Sequence, residues 1–368
     1  MTTAYMKQTS FALLASASLC FGQGSQPIPI QNRSDQHASA SREQSTTPSS
    51  FVEPTFLLPE NSEVNDYRPV LNADATMVIF ERNPIATPHD VKLHIADLAT
   101  GDVQPFVNFA STRPDWCWSR AGGGLTSGPV AFSNNDGIYR VDPGGQPTPI
   151  PNTVGMIYPS WYPDCQHLAV DVTGAQVTAE IDAMTGHIIR SPLANERVWA
   201  GFPSVNQTNS NVVAFAGQAN RDSKYYNQDI NYVWVTDTST ARPRVGPLDR
   251  QAPRGPAFLQ KFQARAGWWS PDGRWFAFES NRACDDLDGQ TYAIFVQDAS
   301  GNRPAMQVSD CSKWNVQHPK WFPPRNDGKV FLIAAVQDVH AGQAACPPAP
   351  FRIASFDVTQ FASGGNPF

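Results

Sequence analysis

A unit of about 45 residues recurs along most of the chain, and this repeat constrains the fold more than any other feature. Four units begin at prolines spaced 45, 45 and 44 residues apart, and another such proline follows 116 residues later, which is room for two units with insertions. These prolines are Pro69, Pro114, Pro159, Pro203 and Pro319. A period near 45 residues is typical of one four-stranded propeller blade. The repeat therefore predicts six blades, the fifth having Trp268 where the others have proline.

Each unit contains the same order of turn and strands. The clearest turn is Ser270–Gly273, in which proline presets φ, aspartate bonds to the local backbone and glycine accepts a positive φ. The strand that follows, Trp275–Phe278, is apolar on both faces, as expected for a sheet lying between two others. The 32 prolines also disfavour long helices. We predict an all-β fold over residues 51–368: a six-bladed β-propeller with four-stranded antiparallel blades.

The sixth unit has no sequence for its outer strand, whereas the segment Glu53–Pro59 precedes the first unit without a partner of its own. We predict that this amino-terminal segment supplies the missing strand and closes the ring, which would protect an exposed sheet edge. The alternative is that it packs across the bottom of the propeller.

The run WSPDGRWFAFESNR (Trp269–Arg282) and its looser copies resemble the PD40 (WD40-like) repeat of the TolB family of periplasmic propellers. The resemblance covers about residues 53–360 and implies a six-bladed propeller. It implies no single activity, because the same repeat occurs in peptidase propellers, carbohydrate-active enzymes and binding proteins. The TolB family has an α/β domain before its propeller, and the different segment found here argues against the family's role in the Tol–Pal system.

The amino terminus resembles an export signal. Lys7 precedes the apolar run Phe11–Phe21, which is too short to span a bilayer and has the length of a signal-peptide core. We predict a signal peptide over residues 1–22 and a polar, disordered tether over residues 23–50. Leu19 disfavours lipidation of Cys20, because a small residue is expected there. The mature protein is thus expected to be secreted or periplasmic, without a membrane span.

Five cysteines remain after the signal, and an oxidising compartment favours their pairing. Cys284 and Cys311 flank a single unit and are predicted to form a disulfide. Cys117 and Cys165 lie in neighbouring units and form a second candidate pair. Cys346 then has no predicted partner within the chain. No CxxC motif is present, so the cysteines give no sign of a zinc site.

Several kinds of chemistry are disfavoured. The net charge of −6 and the lack of a basic block disfavour nucleic-acid binding. The GxSxG motif of serine hydrolases and the lysine-containing phosphate loop are absent. The acidic group Asp285, Asp286 and Asp288 is a candidate calcium site, with a solvated turn as the alternative. No other cofactor is predicted, although histidines from different blades could converge on a metal in a lyase.

The geometry of a propeller provides the main site prediction. Equivalent positions on the innermost strands form a ring at the mouth of the central channel, and the residue before the repeat proline is one such position. The ring consists of Arg68, Arg113, Tyr158, Phe202, Gly267 and His318. We predict that Arg68, Arg113, Tyr158 and His318 form a cationic site for an anionic ligand. The alternative is that the arginines bond to carbonyl groups of adjacent blades and stiffen the channel.

Tryptophans recur beside this ring at positions 116, 161, 268, 269 and 321. We interpret them as core packing between blades rather than as a platform for sugars. The expected function is that of an exported, monomeric, non-catalytic binding protein, which holds a protein partner or an anionic small ligand with the channel mouth and rim loops. The alternative is a secreted carbohydrate-active enzyme, a lyase or glycoside hydrolase, with its site in the channel.

Overall fold

The computed structural model describes residues 51–120, 124–173, 175, 177–191, 198–219, 232–239, 244–248, 263–284, 291–340 and 349–362. The predicted signal peptide and tether lie outside these residues. So do Cys346 and the candidate calcium ligands Asp285, Asp286 and Asp288.

The chain forms six four-stranded antiparallel sheets, which confirms the predicted six-bladed, all-β propeller. The first strand, β1 (Thr55–Phe56), belongs to the last blade. Blade 1 contains β2 (Val64–Leu71), β3 (Met77–Pro84), β4 (Lys92–Asp97) and β5 (Val103–Pro105). Blade 2 contains β6 (Thr112–Ser119), β7 (Thr126–Asn134), β8 (Gly137–Val141) and β9 (Thr148–Pro149). Blade 3 contains β10 (Met156–Trp161), β11 (His167–Val172), β12 (Val177–Asp182) and β13 (Ile188–Arg190).

The second half of the chain repeats this order. Blade 4 contains β14 (Val198–Val205), β15 (Val212–Ala219), β16 (Tyr232–Asp237) and β17 (Arg244–Pro247). Blade 5 contains β18 (Ala264–Trp269), β19 (Trp275–Ser280), β20 (Ala293–Asp298) and β21 (Met306–Gln307). Blade 6 contains β22 (Trp314–Trp321), β23 (Phe331–Asp338) and β24 (Arg352–Asp357), followed by the helix α1 (Thr359–Ala362).

The outer strand of blade 6 comes from the start of the described chain. Strand β1 pairs with β24 in antiparallel fashion, with Thr55 opposite Ser355 and Phe56 opposite Ala354. Phe56 also lies under the guanidinium of Arg352, whose Cζ is 3.9 Å from the ring centroid. The segment before blade 1 is thus hydrogen-bonded into blade 6.

A β-bulge interrupts the innermost strand of every blade, at the repeat proline in five blades and at Gly267 in blade 5. In blade 1 the register shifts between Tyr67 and Val70, and the other five blades shift at the equivalent place. The residue before the proline has a positive φ, which is unusual outside glycine. The six residues are Arg68 (47°), Arg113 (56°), Tyr158 (54°), Phe202 (53°), Ala266 (49°) and His318 (55°), and together we call them the bulge ring.

In blade 5, the bulge-ring position lies one residue earlier in the chain than the sequence alignment placed it. Ala266, rather than Gly267, has the positive φ and occupies the bulge ring. Gly267 takes the place of the proline, and a Cβ atom at this position would overlap the ring of Phe276. The alignment was wrong because this blade lacks the proline, so that Trp268 was matched to the proline column.

Three of the five tryptophans connect neighbouring blades, as the core-packing interpretation predicted, whereas Trp116 bonds within its own blade to the Gly128 carbonyl and Trp268 is only half-buried. Trp161, Trp269 and Trp321 are at most 2% exposed. Each donates its indole N–H to a backbone carbonyl of the preceding blade: that of Asp115 at 3.1 Å, of Ser204 at 3.1 Å and of Trp268 at 2.8 Å. Each ring therefore fills the interface between two blades while its one polar group is satisfied.

The predicted disulfide Cys284–Cys311 is present, and the candidate pair Cys117 and Cys165 is also bonded. Cys117–Cys165 joins blade 2 to blade 3, and Cys284–Cys311 links the segments that flank the outer half of blade 5. Each cysteine among the described residues is paired. Within the same residues, no helix is long and apolar enough to cross a membrane.

Candidate functional site

The bulge ring surrounds a cavity whose empty space, with the open solvent at its mouth included, is about 470 Å³. All six ring residues line it, so the structure brings together the four residues predicted from the sequence. Its walls consist of the ring, the residue that follows the ring position in five of the six blades, and two side chains one step further along their strands. The complete lining is Arg68, Arg113, Pro114, Tyr158, Pro159, Phe202, Pro203, Ala266, Gly267, Trp268, His318, Pro319 and Lys320.

Polar side chains on the second strand of four blades hold the bulges in place. Each accepts the backbone N–H of the bulge-ring residue in the next blade. The bonds run from Arg113 to Glu81 (2.6 Å), from Tyr158 to Ser133 (3.1 Å), from Phe202 to Asp171 (3.1 Å) and from His318 to Glu279 (2.6 Å). These acceptors satisfy buried amides that the bulge removes from the sheet ladder.

The sequence reasoning missed these four acceptors because it considered only the innermost strands. The sequence did contain a signal for them, because a polar residue follows the apolar run of the second strand in these four blades. These residues are Glu81 in FER, Ser133 in FSN, Asp171 in VDV and Glu279 in FES. Such a residue at a predicted buried position needs a hydrogen-bond partner. Its partner lies in the next blade, 25 to 39 residues away in sequence.

Arg68 is neutralised within its own blade. Its Nη1 atom lies 2.6 Å from Oε2 of Glu81, which is almost completely buried. Burial lowers the pKa of Arg68, but the Glu81 carboxylate outweighs this effect and the pKa is raised overall. Arg265, beside the ring in blade 5, is paired in the same way with Glu279 at 2.7 Å. The positive charge of Arg68 is therefore already balanced.

His318 contributes no positive charge at neutral pH. Burial lowers its pKa well below the ordinary value, and the nearby cations Arg68, Arg265 and Arg113 lower it further. Its ring lies edge-on to Tyr67, with the centroids 6.2 Å apart. His318 thus enters the cavity wall as a neutral aromatic side chain.

Arg113 differs from the other cations of the site. Its guanidinium lies over the ring of Tyr158, with Cζ 4.2 Å from the centroid. Its Nε atom, like that of Arg68, is buried without a hydrogen-bond partner, and Nη1 donates to Thr112 Oγ1 at 3.3 Å. No carboxylate of the described residues lies within 4.0 Å of this guanidinium.

Asp171 is the carboxyl group that interacts electrostatically with Arg113. Burial raises the pKa of Asp171 to about 8, against the opposing effects of the Phe202 N–H and of Arg113. Its Oδ1 atom has no hydrogen-bond partner. At neutral pH this carboxyl is mostly protonated, so it leaves the charge of Arg113 uncompensated. The predicted four-residue site therefore converges, but its free positive charge is concentrated on Arg113.

Lys320 forms an ion pair between blade 6 and blade 2. Its Nζ atom lies 2.9 Å from Asp115 Oδ1 and 3.7 Å from the centroid of the Trp268 ring. Lys320 and Trp268 also line a second cavity of about 410 Å³. Its other walls are Val70, Leu71, Asp115, Trp116, Trp118, Trp161, Gln207, Trp269 and Trp321.

Metal binding finds no support in the described part of the chain, where no three histidine, cysteine, aspartate or glutamate side chains cluster as metal ligands would. The acidic group at residues 285–288 lies outside that part. The calcium site predicted there stays a prediction.

The fold and the cavity together define a six-bladed propeller with a cavity enclosed by the innermost strands of its blades. No family model matches the sequence, and no curated protein matches it. Among solved structures, the chain is similar to putative TolB from Agrobacterium tumefaciens, at 15% identity and a TM-score of 0.49, over 71% of this chain and 82% of that one. It is also similar to oligogalacturonate lyase from Vibrio parahaemolyticus, at 13% identity and a TM-score of 0.48, over 83% and 94%. The calcium-binding protein regucalcin from Agrobacterium tumefaciens gives 12% identity and a TM-score of 0.46, over 84% and 94%.

Proposed function

We propose that the protein is exported and acts as a non-catalytic binding protein, which holds the carboxylate of a ligand in the bulge-ring cavity. The observation that carries the proposal is the Arg113 guanidinium, which lines the cavity without a carboxylate partner. The carboxylate belongs either to a small acid or to a protein partner that reaches the channel mouth.

The electrostatics of the cavity support a single-anion site. Arg68 and Lys320 are paired with Glu81 and Asp115. A ligand carboxylate on Arg113 would complete the remaining pair through charge-assisted hydrogen bonds, which are stronger than neutral ones. Arginine is well suited to this role, because its planar donors match both carboxylate oxygens.

Export is supported by two independent features. The amino-terminal sequence has a basic residue, Lys7, before the apolar run Phe11–Phe21. Disulfides such as Cys117–Cys165 and Cys284–Cys311 persist mainly in oxidising compartments.

Calorimetric titration with 3-phenylpropionate tests the binding site. We expect saturable binding to the wild-type protein, and a loss of about tenfold or more in Arg113→Gln, as is usual for removal of a charged hydrogen bond. Arg325→Gln is the matched control, because Arg325 is exposed, does not line the cavity and forms its ion pair with Asp327. If no carboxylate binds, or if Arg113→Gln binds as well as the control, the proposed site is wrong.

The catalytic alternative has a direct test. The purified protein is incubated with oligogalacturonate and with simple glycosides, and new reducing or unsaturated ends are measured. No turnover is expected. If the homogeneous protein still cleaves one of these substrates, the proposed binding function is wrong and the protein is a carbohydrate-active enzyme.

Export is tested with the full chain carrying a carboxy-terminal tag in a bacterial host. We expect the mature protein outside the cytoplasm, with an amino terminus near residue 23. Replacing Leu13 and Leu14 with arginine should interrupt the apolar run and retain the precursor inside the cell. Equal export of this variant would contradict the proposed signal.

A further inference from the structure

We propose that the ligand of the bulge-ring cavity is a carboxylate with an apolar body, such as an arylalkanoate or the carboxy terminus of a peptide that ends in an aromatic residue. We expect sugar acids to bind poorly, because their hydroxyl groups would lack partners in this cavity. The inference rests on the proposed function and specifies the class of ligand that the site takes.

The walls of the cavity are mainly apolar. Four of the lining residues are prolines, which have no backbone N–H to donate. Phe202, Ala266, Gly267 and Trp268 add apolar surface between them. A ligand that fills this cavity therefore buries most of its surface against carbon atoms, which favours an apolar body.

The polar groups of the walls are few and mostly engaged. Arg68 is bonded to Glu81, and Lys320 is bonded to Asp115 and to the carbonyl of Pro114. Apart from Arg113, this leaves Nε of Arg68, which is buried without a hydrogen-bond partner, the hydroxyl of Tyr158 and the neutral ring of His318. A uronic acid carries several hydroxyl groups besides its carboxylate, and most of them would be buried here without partners, at a cost for each one.

The position of the aromatic side chains defines how such a ligand would lie. The Tyr158 ring supports Arg113 on one side and contacts Phe202, with ring centroids 4.2 Å apart and the planes inclined at 47°. The anion-binding guanidinium and the Phe202 ring are therefore neighbours of the same tyrosine. A carboxylate bound to Arg113 would place an attached apolar group against Phe202, where aromatic contacts add to the burial of apolar surface.

Calorimetry with matched ligands tests this inference on the full-length mature protein. The probes are 3-phenylpropionate, its neutral amide 3-phenylpropanamide, and glucuronate, which has the same charge but a hydroxylated body. We expect 3-phenylpropionate to bind at least about tenfold more tightly than either of the others, since it alone supplies both the charge and the apolar surface.

Two variants separate the two halves of the site. Phe202→Leu should weaken binding of 3-phenylpropionate about threefold to tenfold, and Arg113→Gln should reduce it to the level of the amide. Unchanged circular dichroism and melting temperature show that each variant is folded. N-acetylphenylalanine and an acetylated hexapeptide ending in phenylalanine, each compared with its carboxamide, distinguish a small acid from a peptide terminus as the source of the carboxylate.

The outcomes distinguish this inference from the proposed function. Glucuronate binding as tightly as 3-phenylpropionate, or equal binding to the wild type and Phe202→Leu, would overturn the apolar-body inference and leave the anion site intact. If no acid binds at all, the proposed function itself fails. Equal binding of the acid and the amide would overturn the assignment of the carboxylate to Arg113, and with it both proposals.

Discussion

The side-chain carboxylate of Glu81 accepts the backbone N–H of Arg113 at 2.6 Å, and this bond joins blade 1 to the bulge of blade 2. The other carboxylate oxygen lies 2.6 Å from Nη1 of Arg68. One buried acid thus holds the backbone of one bulge-ring residue and balances the charge of another. The geometry of the cavity and its electrostatics therefore depend on the same side chain.

Replacement of Glu81 by alanine should destabilise the protein strongly. It leaves the buried guanidinium of Arg68 without its counter-charge and the amide of Arg113 without an acceptor, which typically costs about 3 to 5 kcal/mol. Glu60→Ala is the matched control, because Glu60 pairs with Arg352 at a site where it is 69% exposed. The control should change stability by less than about 1 kcal/mol. Urea unfolding measures both, and equal effects would contradict the role of Glu81.

The fold was predictable from the sequence because each blade is formed largely by one continuous repeat of the chain. The spacing of Pro69, Pro114, Pro159 and Pro203 reports one blade after another, and each blade pairs neighbouring strands. The disulfide Cys284–Cys311 was predictable for the same reason, since it links positions in one unit, whereas Cys117–Cys165 was only a candidate pair in adjacent units.

For the candidate site, the sequence predicted only which residues come together. The repeat placed Arg68, Arg113, Tyr158 and His318 on one ring, and the structure brings them to one cavity. Their charges could not be predicted, because these depend on side chains elsewhere in the fold. Arg68 is balanced by a second-strand glutamate, and His318 is neutral because the assembled ring buries it among cations.

Removal of the disulfides should lower stability by amounts that follow loop length. Cys117–Cys165 spans 48 residues and Cys284–Cys311 spans 27. Chain-entropy arguments give losses of about 4 and about 3.5 kcal/mol for the two double alanine variants. Urea unfolding of each variant against the wild type checks this. A loss below about 1 kcal/mol for either variant would show that its disulfide constrains the unfolded chain little.

Gly267→Ala should destabilise blade 5, because the added methyl group would overlap the buried ring of Phe276. Overpacking of this kind typically costs about 1 to 3 kcal/mol. Gly124→Ala is the control, since a Cβ atom there meets nothing within 4 Å. Thermal unfolding should show a lower melting temperature for Gly267→Ala only. Equal melting temperatures would mean that Phe276 moves aside without cost.

Asp171→Asn should remove a pH dependence from both stability and binding. Burial raises the pKa of Asp171 to about 8 in the folded protein, whereas an unfolded aspartate titrates near 4. Between these values the folded state retains a proton that the unfolded state has lost. The contribution of this proton to the free energy of unfolding is therefore fully present below about pH 4. It falls by up to about 1.4 kcal/mol per pH unit as the pH rises, and it is lost above about pH 8.

The asparagine variant keeps an acceptor for the Phe202 N–H but cannot ionise. Its stability relative to the wild type should therefore increase from pH 5 to pH 8 and then level off, as measured by urea unfolding at each pH. Binding should change over a higher range, because ionised Asp171 would compete with a ligand for Arg113. We expect the wild type to lose affinity for 3-phenylpropionate between pH 7 and pH 9 and Asp171→Asn to keep it. Parallel pH profiles for the two proteins would show that Asp171 is ionised throughout, and Arg113 would then already have its counter-charge.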